Sequence, residues 1–122
     1  MYRVNGKEYQ CSISIVQDIF NDKWKLGIIW HLMDGAKRYK ELNTAVCDIT
    51  QKTLTIKLRE LEEHQIITRE VFPEIPPKVV YTLSPIGEKL RPVLQAMFDW
   101  GIEYVKECGE LSEGIVCEPK LS

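Results

Sequence analysis

A chain of 122 residues with 44% hydrophobic and 28% charged residues has the length and balance of one ordinary globular domain. Its formal net charge of -2 gives no overall attraction to nucleic acid, although eight of its 16 Lys and Arg residues lie between positions 37 and 78. The polar start MYRVNGKEYQ carries no export signal and no run of about 18 apolar residues exists, so we expect a single cytoplasmic domain (1–122) without a membrane span.

Two helices are predicted in the first part of the chain. Apolar residues recur at helical spacing between Ser12 and Phe20. A second helix follows Asn21 or Asp22, either of which can cap it, and extends through Met33. Because its segment KWKLGIIWHLM is apolar on nearly all sides, we expect it to be the buried central helix.

The next segment predicts two helices joined by a tight connection. A short third helix spans Tyr39 to Val46. Thr50 then caps a fourth helix that reaches about His64. One stripe of this fourth helix is apolar at spacings of four and three residues and is expected to face inward: Leu54, Leu58 and Leu61.

A change of periodicity after the fourth helix predicts a β-hairpin. The segments Ile67–Phe72 and Lys78–Leu83 are rich in β-branched and aromatic residues. Between them lies PEIPP, and three prolines exclude a central strand, so this segment is expected to form a stiff hairpin tip.

A long last helix is predicted from Ser84, which acts as a cap before Pro85, to about Glu107. The acidic residues 109–122 are expected to form a loose tail. The order of elements is therefore two helices, a helix-turn-helix, a two-stranded hairpin and a long helix. This order predicts a mainly α (α+β) winged helix-turn-helix domain.

The polar side of the fourth helix is the predicted DNA-contacting surface, because a helix fits the major groove and its first residues reach base edges. Amides at its start can bind a phosphate, and basic residues outside the helix are candidates for contacts with the DNA backbone or minor groove. The alternatives are a merely solvated polar face and a winged helix that binds protein without reading DNA. The predicted DNA-contacting residues are Arg38, Thr50, Gln51, Lys52, Thr55, Arg59, Arg69 and Lys78.

Cys11 and five stretches of the sequence carry a resemblance to a known family. The stretches are DKWKLGIIWHL (22–32), KRYKEL (37–42), ITQKTLTIKLRELE (49–62), REVFPEIPPKVVYTLSPIGEKL (69–90) and Trp100-Gly101. Through these residues, the region 8–107 resembles the HxlR-type (DUF24) winged-helix regulators of bacteria. The resemblance implies a homodimeric transcriptional regulator, with repression the expected direction. It also implies a cysteine near the N-terminus, here Cys11, that senses electrophiles or oxidants.

The chain departs from the family pattern at three places. Ser12 follows the cysteine where the family often has proline, which puts the sensing role in doubt, and Asp22 stands where many members have glycine. His64 and Gln65 replace the usual Asp-Gly or Asn-Gly at the end of the recognition helix. Because a non-glycine residue in a left-handed cap costs roughly 1 kcal/mol, we expect this helix to end differently here.

The last helix predicts a dimer independently of the resemblance, because its apolar stripe is too wide for one flank of a small domain to cover. A broad core contact is the alternative. A two-fold dimer places two recognition helices about 34 Å apart and predicts a pseudo-palindromic operator in double-stranded DNA. The predicted interface comprises Ile13, Val16, Phe20, Leu94, Met97, Phe98, Trp100, Gly101 and Tyr104.

The four cysteines form no CxxC pair and are expected to be free thiols. Cys11 precedes a helix start, which favours the reactive thiolate, whereas an inert packed side chain is the alternative. No metal ligands share a helix face, since His31 lies in the apolar second helix and His64 at a helix end. Without a phosphate loop, a nucleophile elbow or a base near Cys11, we expect no enzyme activity and no cofactor.

Overall fold

The computed structural model of the chain describes residues 1–110 and 112. The helices in this part are α1 (Ser12–Ile19), α2 (Lys25–Leu32), α3 (Tyr39–Ala45), α4 (Gln51–Glu63), α5 (Pro85–Glu88) and α6 (Arg91–Cys108). The strands are β1 (Tyr2–Val4), β2 (Lys7–Tyr9), β3 (Lys37–Arg38), β4 (Ile67–Phe72) and β5 (Lys78–Leu83). The predicted winged helix-turn-helix, a mixed α+β fold, is confirmed.

Helix α2 is the centre of the core, as its apolar sequence predicts. It begins at Lys25, later than predicted, but Asp22 Oδ1 still accepts the backbone N–H groups of Trp24 and Lys25 at 2.7 and 2.9 Å. The leucine stripe of α4 packs inward, also as predicted. The residues buried together are Ile28, Ile29, Trp30, Leu32, Met33, Leu42, Val46, Ile49, Leu54, Leu58, Leu61, Ile66, Ile67, Tyr81 and Leu94.

The hairpin of β4 and β5, which forms the wing, has the predicted strand bounds. Its antiparallel register pairs Ile67 with Leu83 and Phe72 with Lys78. The expectation of a purely two-stranded sheet is incomplete, because β3 pairs with β5 and gives the order β3-β5-β4. Two residues immediately before α3 carry too little pattern for a strand to be predicted. Through them the wing is hydrogen-bonded directly to the start of the helix-turn-helix.

Helix α4 ends in the left-handed manner despite its lack of glycine, so the expected different ending is wrong. Gln65 has φ 63°, its N–H donates to Glu62 O at 2.9 Å, and Ile66 N–H donates to Leu61 O at 3.0 Å. These two bonds satisfy carbonyls at the helix end in the Schellman pattern. Burial of Ile66 in the core favours this tight reversal over the cost of the left-handed backbone.

The single long helix predicted after Ser84 is wrong, because the chain forms the short α5 and then α6. Ser84 caps α5 as predicted, since its Oγ accepts the Gly87 N–H at 3.1 Å. Pro92 lies in the first turn of α6, where it lacks an N–H to continue α5 and fits a new helix start. Arg91 Nη1 donates to Met33 O at 2.8 Å and ties the start of α6 to the end of α2.

An N-terminal hairpin that the sequence patterns did not reveal packs beside α1. Strands β1 and β2 pair around a turn in which Asn5 and Gly6 both have positive φ. Asp18 of α1 accepts hydrogen bonds from Lys7 Nζ at 2.8 Å and Tyr9 OH at 2.7 Å. The hairpin is therefore fastened to α1 by polar contacts and has no buried residue of its own.

Of the acidic tail predicted at 109–122, only residues 109, 110 and 112 belong to the described part, and the rest of that prediction lies outside it. None of the helices in the described residues combines the length and the apolar character that a membrane crossing requires.

Candidate DNA interface

The exposed side of α4 carries polar and basic side chains at its N-terminal end. Thr50 Oγ1 accepts the Thr53 N–H at 3.1 Å and caps the helix, as predicted. Gln51, Lys52 and Arg59 are exposed, and none of the three forms an ion pair with another described residue. Their long polar side chains are therefore available to a ligand outside the domain.

Two features of this helix differ from what its sequence suggested. Thr55 is half-buried, and its Oγ1 lies 2.9 Å from Gln51 O and 3.0 Å from Tyr39 OH, so its hydroxyl is already engaged. Ile56, which sequence reasoning missed, is 41% exposed on the turn between Lys52 and Arg59. Its departure from the leucine stripe was the available signal, because a core isoleucine would share that stripe.

Tyr39 fixes the position of α4 against α3. Its hydroxyl donates to Gln51 O at 2.8 Å, and so bonds the first residue of α4 as well as the side chain of Thr55. Arg38, immediately before it, is exposed at the start of α3, and its backbone N–H donates to Glu41 Oε1 at 3.0 Å. Arg38 is therefore an exposed basic residue at the start of α3, next to the tyrosine that contacts the first residue of α4.

A groove of about 350 Å³ separates α4 from the wing. Arg59 enters it from α4 and Arg69 from β4, and both side chains are exposed. Glu62 is the acidic residue on the same wall. Two guanidinium groups facing one groove make a site that suits a phosphate, because each presents several N–H donors in a planar fork.

Lys78 lies farther along the wing, at the start of β5. Its Nζ is 5.3 Å from the centre of the Phe72 ring, a cation–π contact near the proline-rich tip. The structure thus brings Arg59 and Arg69 together and places Lys78 apart from them, at the outer part of the hairpin.

An apolar stripe runs along the outer side of α6. Its members recur at spacings of four, three and four residues, the pattern of a helix that packs on another helix. Trp100 is 68% exposed and its ring lies 5.3 Å from that of Tyr104. The exposed apolar residues of this stripe are Val93, Met97, Trp100 and Tyr104.

The remaining residues of the predicted dimer interface divide between surface and core. Ile13 and Val16 of α1 are exposed, and Gly101 lies beside Trp100 on the α6 stripe. Leu94, by contrast, is only 4% exposed and belongs to the core. Phe98 stacks on Trp30 with ring centres 5.1 Å apart, and Phe20 also packs against the core.

The cysteines do not share one environment. Cys11 is an exposed free thiol at the N-cap of α1, and Cys108 is an exposed free thiol at the end of α6. The prediction of free thiols is wrong for Cys47, which is disulfide-bonded. Sequence spacing does not reveal which Cα atoms come within the roughly 7 Å that a disulfide allows.

Comparison with known proteins identifies the family. The HxlR-like helix-turn-helix model matches residues 19–108, which include the helix-turn-helix, the wing and α6. The chain belongs to the HxlR-like helix-turn-helix family. It is 40% identical over 111 residues to the uncharacterized HTH-type transcriptional regulator YdeP of Bacillus subtilis, covering 91% of this chain and 87% of YdeP.

Two solved structures extend this family relationship to three dimensions. The redox regulator HypR in its reduced form matches with a TM-score of 0.74 and 38% identity, over 77% of this chain and 93% of HypR. The reduced form of the transcriptional regulator YodB from B. subtilis matches with a TM-score of 0.68 and 38% identity, over 82% of this chain and 96% of YodB. The protein is therefore a transcriptional regulator of the HxlR and MarR-like winged-helix type.

The potential metal ligands among the described residues are not grouped into a site. Within residues 1–110 and 112, no three His, Cys, Asp or Glu residues are grouped so that they could hold a metal ion. His31 is buried in α2, where burial first and then the positive charge of Lys37 hold its pKa below the ordinary value, against the opposing charge of Asp34.

Proposed function

We propose that this HxlR-like protein regulates transcription by binding a two-fold-symmetric DNA operator as a homodimer. The observation that carries the proposal is the exposed side of α4, which presents Gln51, Lys52, Ile56 and Arg59 opposite a buried leucine stripe. Neither Lys52 nor Arg59 forms an ion pair with another described residue. A major groove accepts such a helix. Glutamine suits adenine, lysine suits guanine, and an exposed aliphatic side chain suits the thymine methyl group.

Phosphate contacts would orient this helix on the duplex. Thr50 and the first amides of α4 offer donors to one phosphate. Arg59 and Arg69 face the groove between helix and wing, where the sugar-phosphate backbone would pass. Arg38, at the start of α3, and Lys78, at the outer part of the wing, would contact the neighbouring backbone or minor groove. The net charge of -2 is compatible with this role because five basic side chains belong to the proposed surface, those of Arg38, Lys52, Arg59, Arg69 and Lys78.

The homodimer is proposed from the α6 stripe. Val93, Met97, Trp100 and Tyr104 would leave a continuous apolar strip in water if the protein were a monomer. A second copy of α6 covers it with the same spacing, and exposed Ile13 and Val16 of α1 add apolar surface. Two recognition helices related by a two-fold axis would then meet DNA about one turn apart.

The experiment is a salt titration of operator binding, with Lys52→Ala compared with Lys89→Ala. Both variants lose one exposed lysine, but Lys89 lies between α5 and α6, outside the proposed interface. We expect wild-type affinity to fall steeply between about 50 and 200 mM salt. Lys52→Ala should cost about 1–3 kcal/mol of specific binding. Equal affinities for the two variants would favour a winged helix that binds protein instead of reading DNA.

Thiol sensing is the proposed regulation, because Cys11 is an exposed free thiol at a helix start and the structural relative HypR is a redox regulator. A quinone that adds to the Cys11 thiol should release the operator, as should diamide, which adds to this thiol and is then displaced as the hydrazine by a second, small-molecule thiol to leave a mixed disulfide on Cys11. Cys11→Ser should abolish this release. Cys108→Ser, which removes the other exposed free thiol of the described residues, should retain this release. Release that is equal in wild type and Cys11→Ser would remove Cys11 as the sensor.

A further inference from the structure

Lys25 is a charged residue inside the domain, at the start of α2. It is only 2% exposed. Its ammonium group donates to Ile19 O at 3.0 Å and to Glu60 Oε2 at 2.7 Å, and lies 3.4 Å from Asp22 Oδ2. A buried ammonium is tolerated only when such partners replace its water shell. One side chain therefore bonds both the last residue of α1 and a residue of the recognition helix α4.

Lys25 belongs to an ion cluster with Asp22, Lys57 and Glu60, in which Lys25 is buried and the other three side chains are partly exposed. Lys57 Nζ lies 3.2 Å from Asp22 Oδ2 and 3.6 Å from Glu60 Oε2, so two positive and two negative charges balance. The bond from Lys25 holds the pKa of Glu60 below its ordinary value against the opposing effect of burial. Burial opposes ionisation of Asp22, but the amides of Lys25 and Trp24 and the Lys57 ammonium still hold its pKa low.

The end of α1 contacts the core of the domain. Among the residues of α1 none is buried, while Ile19 and Phe20 at its end pack against the core. The Lys25 ammonium meets the carbonyl end of α1, where a positive charge is favoured by the helix dipole. A displacement of α1 would therefore draw its carbonyl away from Lys25.

We propose that Lys25 is a positioning residue that sets the recognition helix α4 relative to the end of α1, so that displacement of α1 reaches the DNA-contacting side chains. Glu60 neighbours Arg59 and lies on the same rigid helix as Lys52. A shift at Glu60 is therefore passed along α4 to its N-terminal end. This inference rests on the proposed function, because it concerns the position of the proposed DNA-reading surface.

The charged character of the cluster supports positioning over simple stabilisation. A buried ion pair contributes little net stability relative to a packed apolar pair, because desolvation offsets its attraction. Its hydrogen bonds are directional and short, however, and an ammonium that serves two helices keeps all its bonds in one arrangement only. The apolar stripe of α4 would tolerate small sliding, and the bond to Glu60 opposes it.

The test compares Lys25→Met with Lys57→Met. Both remove one positive charge from the same two carboxylates, but only Lys25 bonds Ile19 O. For Lys25→Met we expect amide hydrogen exchange about tenfold faster at the end of α1 and in α4, with operator affinity weakened about tenfold, as loss of a charged hydrogen bond implies. For Lys57→Met we expect both quantities to stay within about threefold of wild type.

Equal effects of the two variants, or faster exchange that is uniform across the whole domain, would overturn the proposal and leave Lys25 a purely structural residue. If Lys25→Met does not fold, Glu60→Gln replaces it, since the amide keeps the shape and loses the charge. Glu60→Gln should speed exchange in α4 and leave the end of α1 unchanged; unchanged exchange in α4 would again overturn the proposal. Amide hydrogen exchange is measured without DNA, so it tests the role of Lys25 separately from operator binding. Failure of the wild type to bind an operator would count against the proposed function alone.

Discussion

The wing is anchored to the core at a contact that leaves no room for a side chain, and Gly87→Ala tests it. A Cβ atom on Gly87 would lie 2.1 Å from Ile66 O, whereas ordinary contacts begin at 3.4 Å. Ile66 O also accepts the Ser84 N–H at 2.9 Å and lies 2.9 Å from Ser84 Oγ. The substitution must therefore separate α5 from Ile66 by about 1.3 Å, which is enough to break bonds at this carbonyl.

The expected cost follows from these contacts. Each lost hydrogen bond contributes about 0.5–1.5 kcal/mol, and overpacking adds about 1–3 kcal/mol. The better helix propensity of alanine offsets about 1 kcal/mol of this. We therefore expect Gly87→Ala to lower the free energy of unfolding by about 2–4 kcal/mol, which corresponds to a Tm lower by roughly 10 °C in a domain of this size.

The assay is thermal and urea unfolding at one fixed protein concentration, with Gly27→Ala as the matched control. A Cβ on Gly27, the third residue of α2, meets nothing within 4 Å. The same substitution there should stabilise the protein by about 0.5–1 kcal/mol. A Gly87→Ala variant as stable as wild type would refute the close packing of α5 on Ile66.

Three further perturbations test other contacts. Tyr39→Phe removes the hydroxyl that bonds Gln51 O and Thr55, so operator affinity should fall by up to about tenfold; unchanged affinity would show that this bond does not orient α4. Trp100→Glu places a charge in the α6 stripe and should shift sedimentation toward a monomer, whereas an unchanged sedimentation coefficient would exclude this face from the dimer. Burial and then the positive charge of Lys37 lower the pKa of His31, so as pH rises the folded state loses the imidazolium proton at a lower pH than the unfolded state does. The contribution of neutral His31 to the free energy of unfolding is therefore complete above about pH 6.5 and is lost as pH falls toward the pKa of the folded state. Urea unfolding between about pH 5 and 8 should show this slope in wild type and a flatter one in His31→Gln, and equal slopes would exclude His31 as its source.

The sequence predicted the elements whose signals are local. The leucine spacing of α4, its Thr50 cap and both wing strands were recognisable because each depends on residues close together in the chain. The exposed side of α4, which we propose contacts DNA, followed from the same periodicity, since the inward stripe defines the outward side.

Features that depend on distant contacts escaped prediction. The short strand β3 exists because β5 lies beside it, and the polar hairpin of β1 and β2 is held by Asp18 of α1. The division of the last helix had a local signal in Pro92 that the broad apolar stripe obscured. The left-handed Gln65 went against residue preference because tertiary packing decided it.

At the candidate DNA interface, contacts within the chain change which residues of α4 are expected to reach DNA. Thr55 was expected to face DNA, but its hydroxyl is engaged by Tyr39 from another helix, while Ile56 is exposed. The ion cluster around Lys25 was invisible because Glu60 is 35 residues away in sequence. Pairing of charges across that separation depends on helix packing, which periodicity alone does not specify.

Selection of operator sequences from a random DNA pool, by wild type and by Lys52→Ala in parallel, tests the role of α4 most directly. We expect wild type to enrich an inverted repeat with half-sites about one helical turn apart, and Lys52→Ala to lose base preference at one position in each half-site. Enrichment of the same sequence by both proteins, or of none by wild type, would contradict the assignment of α4 as the DNA-reading helix.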